Sequence, residues 1–211
     1  MRVSAVAAWQ AQLRVALRLE NGAVETLIVF HSVLGLRPVE EDAAQRFRSA
    51  GFEVALPDLY GGHRTESMEE GFRLMRQIGW PVICKRAREA TANVPATSLL
   101  VGFSMGAGVI ASLWPNRPRA RAVLLFHALA KIPNNVRPGL KIQLHIADAD
   151  EFVSPEQTTV WTAAAMSAGA RIESFTYPDC GHFFTDPKSA GYSAIASEMA
   201  WDRALSFLAQ L

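Results

Sequence analysis

The chain has 211 residues, 50% of them hydrophobic and 19% charged, with a formal net charge of +1. That length suits one domain with a substantial core, and the composition is that of a soluble globular protein, neither disordered nor membrane-spanning. A charge balance so near zero gives no electrostatic reason to expect nucleic acid or an anionic membrane as partner.

The first eight residues are mildly apolar but reach Trp9, Gln10 and Gln12 without a sustained hydrophobic run, so no signal peptide is read. No stretch approaches the length of a transmembrane helix, and the expected location is a reducing cytoplasm. Cys84 and Cys180 stand far apart, in no Cys-x-x-Cys arrangement, which suggests neither a disulfide framework nor a zinc site.

Val15 to Leu19 reads as an edge strand, and Asn21-Gly22 as a hairpin turn out of it. The run Thr26 to Phe30 is a buried strand that ends at His31-Ser32-Val33-Leu34-Gly35. A helix is expected from Val39 to Ala50, stopping at Gly51, then a strand from Phe52 to Leu56. Thr65 to Gln77 fits a helix, whose neighbouring Arg64, Arg73 and Arg76 offer either a carboxylate-binding set or, more commonly, a solvated face. Trp80-Pro81 reads as an interruption before a second helix from Val82 to Asn93. Leu99 to Phe103 is a strand leading into a helix that ends at Trp114-Pro115.

Further strands follow at Arg121 to Phe126, Lys141 to Ile146 and Arg171 to Tyr177. Ser154-Pro155 opens a helix from Glu156 to Ala168 by supplying an N-cap and a first-turn proline. A final helix is expected from Ala190 to Leu211. Strands alternating with helices predict an α/β fold with a mostly parallel, doubly wound sheet and helices on both faces. No repeat or linker divides the chain, so residues 1–211 read as a single domain.

Gly102-Phe103-Ser104-Met105-Gly106 stands at the switch from strand to helix. This is the Gly-x-Ser-x-Gly spacing of a nucleophile elbow, which exposes a serine hydroxyl at the carboxyl edge of a sheet. The helix behind it aims free N–H groups and the positive end of its dipole at the same point. Ligands of open α/β sheets bind beyond the carboxyl ends of the strands, and Asp150 and His182 also fall in loops that follow strands. The order serine, acid, histidine is that of the α/β-hydrolases. A serine hydroxyl needs a base within reach, and an imidazole needs a carboxylate on its other nitrogen to fix its tautomer. His31, His63, His127 and His145 are rivals for the base but break that order, and Asp148 competes with Asp150. A metal site built from His145, Asp148, Asp150 and His182 matches no ligand spacing.

The chain resembles the dienelactone hydrolase family of α/β-hydrolases. The likeness rests on His31-Ser32-Val33-Leu34-Gly35-Leu36-Arg37-Pro38, Pro57-Asp58-Leu59-Tyr60, Gly102 to Ala107, His145 to Val153, and Gly181-His182-Phe183-Phe184. The family's His-x-Gly-x-x-Asp-x-x-Val pattern puts the acid at Asp150, with Ala147 where glycine is usual. By the same matching, the oxyanion hole is formed by the backbone N–H groups of Val33 and Met105. The family's nucleophile is a cysteine held by a glutamate, whereas Ser104 and Ser32 stand at those places. Asp186 replaces an arginine that binds the substrate carboxylate, so an anionic dienelactone is expected to meet a like charge there.

The resemblance implies an α/β-hydrolase with no large cap domain, no cofactor and no metal, existing as a monomer or homodimer. Its expected reaction is cleavage of a small ester, lactone or thioester by Ser104, His182 and Asp150, under a roof made by residues 60–80. The competing expectation is a non-catalytic small-molecule binding or sensing protein on the same fold.

Overall fold

The computed structural model describes residues 24–211. In chain order its elements are β1 (Thr26–Phe30), α1 (Pro38–Ser49), β2 (Glu53–Ala55), α2 (Met68–Ile78), α3 (Trp80–Ala90), β3 (Leu99–Phe103), α4 (Met105–Leu113), β4 (Ala122–Phe126), β5 (Lys141–Ala147), α5 (Pro155–Ser167), β6 (Arg171–Tyr177) and α6 (Ala194–Ala209). Among the described residues the strands lie in the order β2-β1-β3-β4-β5-β6, every neighbouring pair parallel.

Residues of β1 alternate between two apolar layers, as a pleated strand covered on both faces requires. Ile28 and Phe30 pack with Ile83 of α3, Ile110 of α4 and Trp161 of α5. Leu27 and Val29 pack on the other face with Phe47 of α1 and Trp201 of α6. The chain steps outward from β1 to β2, then crosses back to place β3 on the other side of β1. The strand order therefore reverses between β1 and β3, the place where open α/β sheets leave a crevice for ligands. Phe30 is level with Gly102 in the register, so the loop after β1 and the elbow after β3 emerge side by side.

Several boundaries differ from the sequence reading, two of them for a visible physical reason. Trp80-Pro81 begins a helix instead of interrupting one: Gly79, at φ 87°, closes α2, and Pro81 occupies the first turn of α3, where a missing N–H is harmless. The last helix starts at Ala194, because Ser193 caps it by accepting the Ala196 N–H. The strand expected from Phe52 to Leu56 is trimmed to three residues. The edge strand and hairpin turn expected between Val15 and Gly22 lie outside the described residues.

Residues 210 and 211 lie at the sheet's amino-terminal edge. There Arg121, just before β4, donates to Leu211 O at 2.6 Å, and Lys141, at the start of β5, donates to Gln210 O at 2.7 Å. Cations thus meet the free carbonyls that follow α6. Among the described residues no helix is long and apolar enough to cross a membrane.

Candidate active site

Ser104 joins β3 to α4 with φ 49° and ψ −109°. A non-glycine residue there carries roughly 1–3 kcal/mol of strain, tolerable only where the surroundings fix it. Its N–H donates to Phe126 O of β4, and its carbonyl accepts the Ala107 N–H, both at 2.9 Å. At Gly106 a Cβ would lie 2.3 Å from Phe30 O, so only glycine lets α4 come down onto β1.

The turn aims the Ser104 hydroxyl at His182. Oγ lies 2.8 Å from His182 Nε2, and His182 Nδ1 lies 2.9 and 3.0 Å from the two carboxylate oxygens of Asp150. With Nδ1 donating to Asp150, Nε2 is free to accept the serine proton. Asp150 is held by the turn after β5, since its Oδ1 accepts the N–H groups of Phe152 and Val153. Its carboxylate is fully buried, and His182 is 7% exposed. The loop carrying His182 is pinned by Gly181 N–H on Gly191 O and by Ser193 N–H on Phe184 O. Phe152 and Phe183 each pack edgewise on the imidazole with centroids 4.6 Å away.

Val33 and Met105 stand beside the serine on the two adjacent strand ends. In the turn after β1, Gly35 N–H bonds Ser32 O and Leu34 N–H bonds Ser32 Oγ. Among the described residues the Val33 N–H of the same turn has no acceptor. Met105 opens α4, so its N–H lies outside the helix's own ladder. Over this loop lies α2, pressed so close that a Cβ on Gly71 would come within 2.8 Å of Val33 O. Met68, Phe72 and Met75 of α2 pack with Leu34, Phe183 and Met105, forming the roof expected of residues 60–80.

The rival groups are engaged elsewhere. His31 donates from Nδ1 to Ser32 O at 2.7 Å and accepts the Leu59 N–H on Nε2 at 3.1 Å, joining the loops after β1 and β2; burial lowers its pKa. His145 sits between Tyr177 OH and Gln143 Oε1, and burial takes its pKa down to about 3. His127, at φ 68°, meets Thr185 Oγ1 at 2.9 Å. His63 and Asp148 are exposed, and so are Arg64, Arg73 and Arg76; Arg73 pairs with Glu70 on its own helix. Among the described residues no group of three or more His, Cys, Asp or Glu could hold a metal ion.

Asp186 lines the groove, but it is buried and paired, with Oδ2 2.8 Å from Arg37 Nη2. Arg37 also bonds Glu66 at 2.9 Å and approaches Glu40 at 3.7 Å. Burial works against the Arg37 charge, but Glu40 and Asp186 outweigh it and hold its pKa above the ordinary value. Burial raises the Glu40 pKa, with Arg37 opposing it. Glu40 went unnoticed in the sequence because an acid in a first helical turn reads as solvated; its position three after Arg37, a capping-box spacing, was the one available signal. Beside this network a groove of about 440 Å³ runs past His182, walled by Leu34, Met68, Phe152 and Phe183.

Comparison with known proteins finds relatives over most of the chain. A probable 2-oxo-3-(5-oxofuran-2-ylidene)propanoate lactonase from Bradyrhizobium sp is 23% identical over 210 residues, covering 89% of this chain and 84% of that protein. Two solved structures share the fold. A dienelactone hydrolase-like promiscuous phosphotriesterase from metagenomic libraries gives a TM-score of 0.75 at 17% identity, with 91% of this chain and 89% of that one covered. Esterase PE8 gives 0.62 at 18%, with 90% and 94% covered. The family model for dienelactone hydrolases matches residues 13–211, and the chain therefore belongs to the dienelactone hydrolase family, within the α/β-hydrolase superfamily.

Proposed function

We propose that this chain is a serine hydrolase that cleaves small, uncharged carboxylic esters, lactones or thioesters through an acyl-enzyme. The observation that carries the reading is the unbroken chain of hydrogen bonds from Ser104 Oγ through His182 to Asp150. In this reaction Oγ attacks the carbonyl carbon as its proton passes to His182 Nε2, and Asp150 stabilises the imidazolium. The oxyanion accepts from the N–H groups of Val33 and Met105, fixed donors aimed where charge develops. On collapse, the C–O or C–S bond breaks and the proton moves from His182 to the leaving group. Water, deprotonated by His182, then attacks the acyl-enzyme; the carboxylic acid leaves and Ser104 is restored.

The preference for uncharged substrates is supported by the groove. Its carboxylates are Glu66, Glu151 and Asp186, and its cations are Arg37 and Lys188. Both cations are already bonded to carboxylates, so among the described residues of the groove an anionic substrate finds no free cation. The absence of a large cap above α2 and α3 among the described residues favours small substrates.

The test is intact-mass spectrometry after exposure to a small fluorophosphonate at neutral pH. The wild type is expected to gain one adduct, and Ser104→Ala and His182→Ala none. A folded wild type that gains no adduct overturns the hydrolase reading in favour of a binding protein.

A further inference from the structure

Val33 and His182 come from loops far apart in the chain, one after β1 and one after β6, yet transition-state stabilisation needs them in fixed register across Ser104. Arg37 spans the gap. Its Nη2 is bonded to Asp186, its Nη1 to Glu66, and its Nε faces Glu40. Toward β1, Glu40 Oε1 accepts the Ser32 hydroxyl at 2.9 Å and Oε2 accepts the Arg37 backbone N–H at 3.1 Å, with the guanidinium Nε 3.7 Å from the same carboxylate. Ser32 Oγ in turn accepts the Leu34 N–H, so the turn that presents Val33 is gripped on both sides. Toward β6, Asp186 Oδ1 accepts the Lys188 N–H at 2.9 Å, stiffening the bend just beyond His182.

Arg37 is 3% exposed, Glu40 3% and Asp186 4%. Burying such charges gains little net stability, since desolvation offsets their attraction. What a planar guanidinium does supply is direction, because it orients two carboxylates at once. We infer that Arg37 is a positioning residue. Through Glu40 and Ser32 it sets the Val33 N–H, and through Asp186 it sets the His182 loop, so that both converge on Ser104. This inference rests on the hydrolase reading above.

The test compares the wild type with Asp186→Asn, Arg37→Gln, Arg37→Lys and Glu66→Gln. For each, Tm, kcat and KM for p-nitrophenyl butyrate, and the rate of fluorophosphonate capture are measured. Misplacing donor and base by a fraction of an ångström lowers kcat by about 10- to 100-fold in Asp186→Asn and Arg37→Gln. KM stays within about twofold, because the substrate still packs on Phe152 and Phe183, and the capture rate falls in parallel with kcat. Arg37→Lys, which keeps the charge, recovers part of the loss. Variants folded at the assay temperature with kcat and capture rate within about twofold of wild type overturn the inference. Should the buried variants unfold, Glu66→Gln decides, since that carboxylate is half exposed: a kcat loss of about two- to threefold at unchanged KM supports the inference, and wild-type kinetics overturn it. A wild type that takes no adduct instead sinks the hydrolase reading itself.

Discussion

His182 and His127 lie with ring centroids 5.8 Å apart, both buried and both in contact with phenylalanine rings, yet their nitrogens are differently employed. His182 has a serine hydroxyl on one side and a carboxylate on the other. His127 has Thr185 on Nε2, and among the described residues nothing on Nδ1. Burial, reinforced by the positive character of His182 and His145 when charged, drives the His127 pKa well below its ordinary value. On the hydrolase reading proposed above, nearness to Ser104 therefore does not make a base. A carboxylate that fixes the tautomer and balances the imidazolium does, and only one of the two rings has one.

The largest effects come from breaking the pair at its active member. His182→Ala or Ser104→Ala is expected to lower kcat for p-nitrophenyl butyrate by about 10⁴-fold or more, with Tm close to wild type. Asp150→Asn turns His182 toward the condition of His127, keeping the shape but removing the charge. A loss of about 10²- to 10⁴-fold in kcat is expected, and activity within tenfold of wild type would contradict the role given to Asp150.

The comparison sharpens with pH. His31, His127 and His145 are all neutral by burial, so the unfolded chain takes up protons that the folded chain refuses. For His145 the folded pKa is about 3 against an ordinary 6.5. Stability is thus fully present above pH ~6.5 and lost as pH falls from there toward the folded pKa, by about 1.4 kcal/mol per pH unit for His145, with His31 and His127 adding in the same direction. Urea midpoints at several pH values should show the slope, and His145→Gln should flatten it by about one proton. Glu40 acts oppositely in the carboxylate range: its folded pKa is raised, so its contribution declines as pH rises through that pKa.

The smallest effect on activity is expected from His127→Asn. Asparagine tolerates positive φ, but the substitution removes the ring contacts with Phe183 and Phe184. A stability loss of about 1–3 kcal/mol is expected, read as a lower Tm, with kcat within about threefold of wild type. A kcat loss as deep as that of His182→Ala would erase the distinction between the two rings.

Much of this arrangement is legible in the sequence because strands such as Leu99–Phe103 are continuous branched apolar runs, and because Ser104, Asp150 and His182 each fall just beyond such a run. Asp148 and Asp150 were harder to separate. Both follow β5, but the Asp148 N–H still bonds Tyr177 O in the ladder while its side chain is exposed, and the chain must turn once more to bring a carboxylate onto His182. The Arg37 network was illegible for a different reason. Its members are charged residues that composition assigns to the surface, and the burial of Arg37, Glu40 and Asp186 arises only when loops after β1 and β6 close on each other. The break between α2 and α3 falls at Gly79, just ahead of Trp80-Pro81, because proline both ends helices and opens them, and the φ of Gly79 decides which.

The bonds from Arg121 and Lys141 to the last carbonyls also govern how the protein can be handled. They fix the departure point at the edge of the sheet opposite Ser104, roughly 15–20 Å away along the length of β4. Anything joined beyond Leu211, whether an affinity handle, a fluorescent reporter or a tether to a bead, leaves from the far side. An immobilised preparation thus keeps the mouth of its groove open to the surrounding solution.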